Sequence, residues 1–175
     1  MHGDEVARNQ LDVLLNDIDA RSIFGKSGPL NWFSPIKTTK GLLKRGFLTE
    51  KQVELISKVF KQYSKLKKVS KKFISSGAGR DLANLLYRFL QDKPKNISTE
   101  DRGRSQKFSK IIHSFSEGTI VHVGLFNEAE SLICEFPTEI KNRNLALEWV
   151  HSARRKYLNE LMQCEVITDT QQDGK

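Results

Sequence analysis

The 175-residue chain reads as a predominantly α-helical protein of the α+β class. It has a helical N-terminal half and a helix–β-hairpin–helix C-terminal half. Three observations predict this. Apolar residues recur at helical spacing through most of residues 5–91 and again over 143–163. Cap and breaker residues divide the N-terminal half into separate helices. Two β-branched and aromatic runs, "GTIVHVGLF" and "SLICEFP", flank the short polar stretch "NEAE", which is the spacing of a hairpin. A lone hairpin is marginal in water, so it is expected to pack on helices. The reading is one compact domain over 1–175, divisible into a basic helical part, 1–93, and a helix–hairpin–helix part, 97–165.

The elements follow in order. In "EVARNQLDVLLNDIDAR" the residues Leu11, Leu14, Leu15 and Ile18 predict a helix over about 5–21. Gly25, Gly28 and Pro29 break the loop after it. Ser34 is a helix N-cap, Pro35 suits the first helical position, and Gly46 closes a short helix in the left-handed conformation. Thr49 and Gln52 have capping-box spacing and open the next helix, which runs to about Phe73 with no glycine or proline to stop it. "SSGAGRD" is a loop. A helix opening at Gly79 or Asp81 then carries Leu82, Leu85, Leu86, Phe89 and Leu90 to about Gln91. Lys93-Pro94 ends that part, and "NISTEDRGRSQ" is a polar connector in which Ser98 caps a turn. Phe108, Ile111, Ile112 and Phe115 make a short amphipathic helix. The last helix, about 143–163, carries Leu145, Trp149, Val150, Tyr157, Leu158 and Leu161.

Composition narrows the function classes. No run approaches the roughly 18 apolar residues of a membrane span, and no membrane role is expected. Met-His-Gly-Asp-Glu lacks the basic start and apolar middle of a signal peptide, and the two cysteines, Cys134 and Cys164, fit free thiols. A cytoplasmic, reducing location is therefore expected. The net charge of +8 is uneven. Residues 1–90 hold 17 Lys/Arg against 8 Asp/Glu, a net of +9, while residues 91–175 hold 12 against 13. Over 37–72 there are 12 basic residues against Glu50 and Glu54, so the excess is local and marks a polyanion footprint.

That excess peaks in "KVFKQYSKLKKVSKKF", Lys58 to Phe73, with seven lysines and no acid. At about 100° per residue, Lys58, Lys61, Lys65, Lys68 and Lys72 fall in one stripe. Leu55, Ile56, Val59, Phe60, Tyr63, Leu66 and Phe73 fall opposite. A solvated face is the plain reading of a charge run, but such faces usually mix signs, because like charges three or four apart repel. An unrelieved row is best met by phosphates, which release counterions on binding. Lys37, Lys40, Lys44 and Arg45 on the preceding short helix extend the same charge, and Arg80 in "SSGAGRD" adds a fork donor beside a helix N-terminus. Lysine carries little base-reading geometry, so weak sequence preference is expected. A basic amphipathic helix can also lie on anionic lipid, but the apolar side of this one is expected to be used in the core. Trp32 and Phe33, just before the basic helices, are offered either for stacking or partner contact, or as a core plug.

Catalytic motifs are sparse. "FGKSG" lacks the earlier glycine of a P-loop, since position 20 is Ala20, and no strand precedes it. His2, His113, His122 and His151 have no metal-ligand spacing, so no metal and no cofactor are expected. Glu128, Glu130, Glu135 and Glu139 surround the expected hairpin and either form an acidic face or, in a small nuclease, hold a divalent metal. Arg154, Arg155 and Lys156 sit on the last helix.

"KRGFLTEKQVELISKVFKQY", Lys44 to Tyr63, resembles a helical segment of phage and replication-associated proteins, through Arg45, Gly46, Leu48, Thr49, Lys51 and Gln52. The match covers roughly a ninth of the chain. It implies a phage or mobile-element setting with a DNA-related role, and it carries over no catalytic residue. The expectation is a non-enzymatic nucleic-acid-binding accessory protein gripping the phosphate backbone, with a protein partner or second copy at the C-terminal half. The alternative is a regulator or inhibitor that docks an acidic patch on a nucleoprotein machine or host enzyme.

Overall fold

A computed structural model describes residues 2–91, 99–118, 120–136, 140 and 142–164. Among the described residues there are eight α-helices and no β-strand. They are α1 (His2–Asn16), α2 (Ala20–Phe24), α3 (Pro35–Arg45), α4 (Glu50–Ser75), α5 (Ala78–Gln91), α6 (Thr99–Glu117), α7 (Val123–Glu135) and α8 (Arg143–Gln163). The chain forms two compact units. Among the described residues, one holds 2–66 with Cys164 and the other those of 67–163, and α4 spans Glu50–Ser75 across the boundary.

In the first unit α1 packs on α2 and α3. The helix expected over 5–21 is two helices. Asp17 N–H closes α1 on Val13 O at 2.9 Å, and Asp17 Oδ1 accepts Asp19 N–H at 3.1 Å, which diverts the backbone before α2. The caps of α3 and α4 form as the residue types require. Ser34 Oγ accepts Lys37 N–H (3.2 Å), and Gly46 takes φ 81° at the end of α3. Thr49 and Gln52 exchange both capping-box bonds, at 3.0 and 3.2 Å. Each such cap contributes roughly 0.5–2 kcal/mol. Arg8 ties α1 to the α3 terminus by donating to Gly46 O at 3.1 Å. Leu11, Leu14, Ile23, Phe33, Ile56 and Tyr63 are buried core residues, with the Phe24 and Tyr63 rings stacked at 6.2 Å.

In the second unit α5 packs on α6, α6 on α7, α7 on α8 and α8 back on α5, a closed ring of four helices. Phe89, Phe108, Phe115, Phe126 and Tyr157 are fully buried, and Phe115 and Phe126 sit 5.0 Å apart between centroids. Burial of such side chains contributes roughly 1.5–3 kcal/mol each. Gly79 lets α5 approach α6, because a Cβ there would lie 2.0 Å from Phe115 O.

The expected β-hairpin is overturned, and with it the α+β class: the described chain is all helical. "NEAE" lies inside α7, not in a turn. Glu and Ala are strong helix formers, and Phe126, Ala129 and Ile133, buried at i, i+3 and i+7, have helical period. The α7 carbonyls are capped from outside. Arg143 donates to Phe136 O (3.2 Å) and Cys134 O (3.0 Å), and Arg104 to Glu135 O (3.1 Å). Before α7, Val121 meets helix side chains where a strand partner was expected. Ser70 Oγ accepts Val121 N–H (2.9 Å) and donates to Val121 O (2.9 Å), and the Tyr157 hydroxyl donates to the same carbonyl. These bonds satisfy the backbone that a hairpin would have used. The amphipathic helix read around Phe108–Phe115 is the longer α6, α8 falls where expected, and Ser98 with Lys93-Pro94 lies outside the described residues.

Candidate polyanion interface

The sequence-predicted stripe lies on α4. The apolar side of that helix is consumed by packing, since Ile56, Val59, Tyr63, Leu66 and Val69 are buried. Phe60 and Phe73 are half-buried, and Leu55 reaches solvent. The lysine side faces out: Lys58, Lys61, Lys68 and Lys72 are exposed and Lys65 is half-buried. Helical spacing alone places these five on one line, so their alignment follows from α4 being unbroken over Glu50–Ser75.

They are not equivalent. Lys72 Nζ donates to Glu160 Oε2 of α8 at 2.7 Å. Lys68 also has an interaction partner. Lys58, Lys61 and Lys65 make no ion pair among the described residues. The stripe is therefore neutralised in part at its C-terminal end and open at its N-terminal end. The Lys72–Glu160 pair helps line a pocket of about 220 Å³ together with Val69, Phe73, Tyr157 and Lys156.

Lys37, Lys40, Lys44 and Arg45 are exposed on α3. Arg45 Nη2 donates to Gln52 Oε1 at 2.8 Å, and the same oxygen serves the Thr49 cap, so this guanidinium is tied to the first turn of α4. Lys37, Lys40 and Lys44 have no ion pair among the described residues and follow 3, 4 spacing. Arg80 is exposed in the first turn of α5, beside Asp81. Lys71, outside the predicted stripe, is exposed too. Of the Trp32–Phe33 pair, Phe33 is buried against Phe24 and Trp32 is exposed.

Of the carboxylates considered for a metal, Glu130 and Glu135 are held in ion pairs. Glu130 Oε2 accepts Arg154 Nη1 at 2.6 Å, and Oε1 lies 3.1 Å from His151 Nε2. Those two partners, Arg154 first, hold the Glu130 carboxyl below its ordinary range. Glu135 pairs with Arg104 at 3.3 Å, and Glu139 lies outside the described residues. His122 N-caps α7 without a side-chain cap bond, and burial lowers its pKa, with Glu128 opposing. Tyr157 is pushed up to about 12 by burial. Burial, with the Asp17 carboxylate, also raises the Tyr63 phenol. Among the described residues no three His, Cys, Asp or Glu side chains are grouped to hold a metal. No described helix is long and apolar enough to cross a membrane. Cys134 and Cys164 are free thiols. No protein-family model, curated protein or solved structure matches this chain.

Proposed function

We propose that the protein binds nucleic acid through the phosphate backbone, without catalysis of its own, along the outward face of α4. The observation that carries this is the row Lys58, Lys61 and Lys65, three cations without an ion pair among the described residues on a helix whose other side is buried. The row spans about 10 Å of helix axis, and strand phosphates advance about 3.4 Å each along the duplex axis, so the row matches about three of them. Between Leu55 and Arg80 there is no acidic residue, so the stretch itself sets no carboxylate among these lysines. Lys37, Lys40, Lys44 and Arg80 add positive potential and steer association. The short resemblance of Lys44–Tyr63 to phage and replication-associated proteins is in keeping with a DNA-related setting, and the free thiols with a reducing compartment.

Titrating the protein against random-sequence duplex and single strands over a salt series tests the reading. Three phosphate contacts give a log–log slope near −3 on duplex DNA. The triple charge reversal Lys58→Glu, Lys61→Glu, Lys65→Glu is expected to abolish binding with helicity unchanged. Binding by that variant equal to the parent's removes the assignment. A protein-only regulator, the competing class, leaves both nucleic acids unbound at moderate salt.

A further inference from the structure

α3 differs from α4 in one respect that phosphate binding does not use: its apolar side chains are outside. Pro35 is its one buried residue among those described, while Ile36 is 60% and Leu43 78% exposed. Exposed Trp32 and Phe47 stand at its two ends. Ile36 and Leu43 are seven residues apart and so lie on one line of the helix. Lys37 and Lys44 lie on a second line with the same step, and Lys40 falls between the two lines. From Ala20 to Thr49 there are six basic residues and no acidic one. Exposed apolar side chains in line, bordered by one sign of charge, mark an interaction site and ask for an apolar partner bordered by acid.

The chain itself carries that partner. α1 and the turn after it hold Asp4, Glu5, Asp12, Asp17 and Asp19 against Arg8 alone. Asp4 is spent on Arg8 at 2.7 Å and Asp17 serves Tyr63. Glu5 and Asp12 are exposed, have no ion pair among the described residues, and are seven apart. Val6 and Val13 run beside them at the same step. Val13 is exposed, and Ile18, just past the helix, is 85% exposed. The pattern acid–apolar at 5/6 and 12/13 therefore has the period of apolar–base at 36/37 and 43/44, with opposite charge.

We infer that the exposed face of α3 docks the acidic, apolar face of α1 of a second copy of this chain, with Ile36 and Leu43 against Val6 and Val13, and Lys37 and Lys44 against Glu5 and Asp12. The contact is between two different faces, so each copy retains the means to engage another. It shares the charge of Lys37 and Lys44 with the polyanion reading, whose phosphate contacts lie on α4, and it differs in resting on the exposed apolar side chains of α3.

Sedimentation equilibrium of nuclease-treated protein over a concentration and salt series tests it. The parent mass is expected to rise with concentration to at least twice the 20.0 kDa of one chain, and to fall back as salt increases. Leu43→Glu is expected to stay at one-chain mass. So are the double reversals Lys37→Glu/Lys44→Glu and Glu5→Lys/Asp12→Lys, each alone, with circular dichroism unchanged. Mixing the two double reversals restores complementary faces between the variants and is expected to give species of at least two chains. A parent that keeps one-chain mass at every concentration overturns the inference. So does a mixture that fails to associate, or parent-like association by folded Leu43→Glu. Leu43-dependent binding of a monomeric parent to phosphatidylserine vesicles overturns it in favour of a lipid surface.

Discussion

Lys72 Nζ sits 2.7 Å from Glu160 Oε2, a contact that joins α4 to α8 across 88 residues of sequence. It is an exposed pair and contributes under about 1 kcal/mol to stability. Its consequence is electrostatic, because it removes one cation from the row that α4 presents.

Glu160→Gln frees that cation. We expect tighter binding of random-sequence duplex DNA at low salt and a salt slope steeper by about 0.9, one additional phosphate contact. Fluorescence anisotropy across 50–200 mM salt measures both. An unchanged slope would place Lys72 outside the interface.

Ser70 is fully buried, and its hydroxyl both accepts from and donates to the Val121 backbone. Ser70→Ala leaves a buried N–H without its partner and is expected to cost about 1–3 kcal/mol. Tyr157→Phe removes one of two donors to Val121 O, so the carbonyl keeps Ser70 and the cost is expected near 1 kcal/mol. Chemical denaturation of both variants gives the ranking. Equal losses would contradict it.

His122 is buried, with Nδ1 unpartnered and its pKa below the ordinary 6.5. As pH falls through 6.5 the unfolded chain takes up this proton and the folded chain does not. Stability is therefore full above 6.5 and declines below it, by at most about 1.4 kcal/mol per pH unit. Glu130, also lowered, adds a loss in the same direction that begins near its ordinary 4.5. His122→Gln is expected to flatten the curve of unfolding free energy between pH 6.5 and 5 and to leave the steeper acid limb.

Two glycines separate steric cost from backbone strain. At Gly79 a Cβ would also stand 3.1 Å from the Phe73 ring, so Gly79→Ala overpacks the α5–α6 approach at about 1–3 kcal/mol. Gly46 has φ 81° with open space around it, so Gly46→Ala costs about 1 kcal/mol of strain alone. Thermal unfolding of the pair is expected to show the larger drop for Gly79→Ala.

Local chemistry was legible wherever the information was local. Ser34, Pro35 and Gly46 bounded α3, and Thr49 with Gln52 opened α4. The lysine stripe followed from spacing on that one helix. The failures came where a distant residue decided. "IVHV" has strand composition, yet Ser70 and Tyr157 take the Val121 backbone, while Arg104 and Arg143 cap α7 from α6 and α8. "NEAE" had helix formers and no glycine or proline, and Phe126, Ala129 and Ile133 had the period of a helix, so a signal for α7 was present.

The sequence by itself determined which stretches are helical where cap and period agree, and it determined the position and sign of the charge. Both depend on neighbours within a few residues. Only the tertiary structure decided which lysines keep their charge uncompensated, and that the apolar side chains of α3 face outward while those of α4 are buried. Pairing and burial are set by what arrives from elsewhere in the chain, and that depends on packing, which spacing along one helix does not encode.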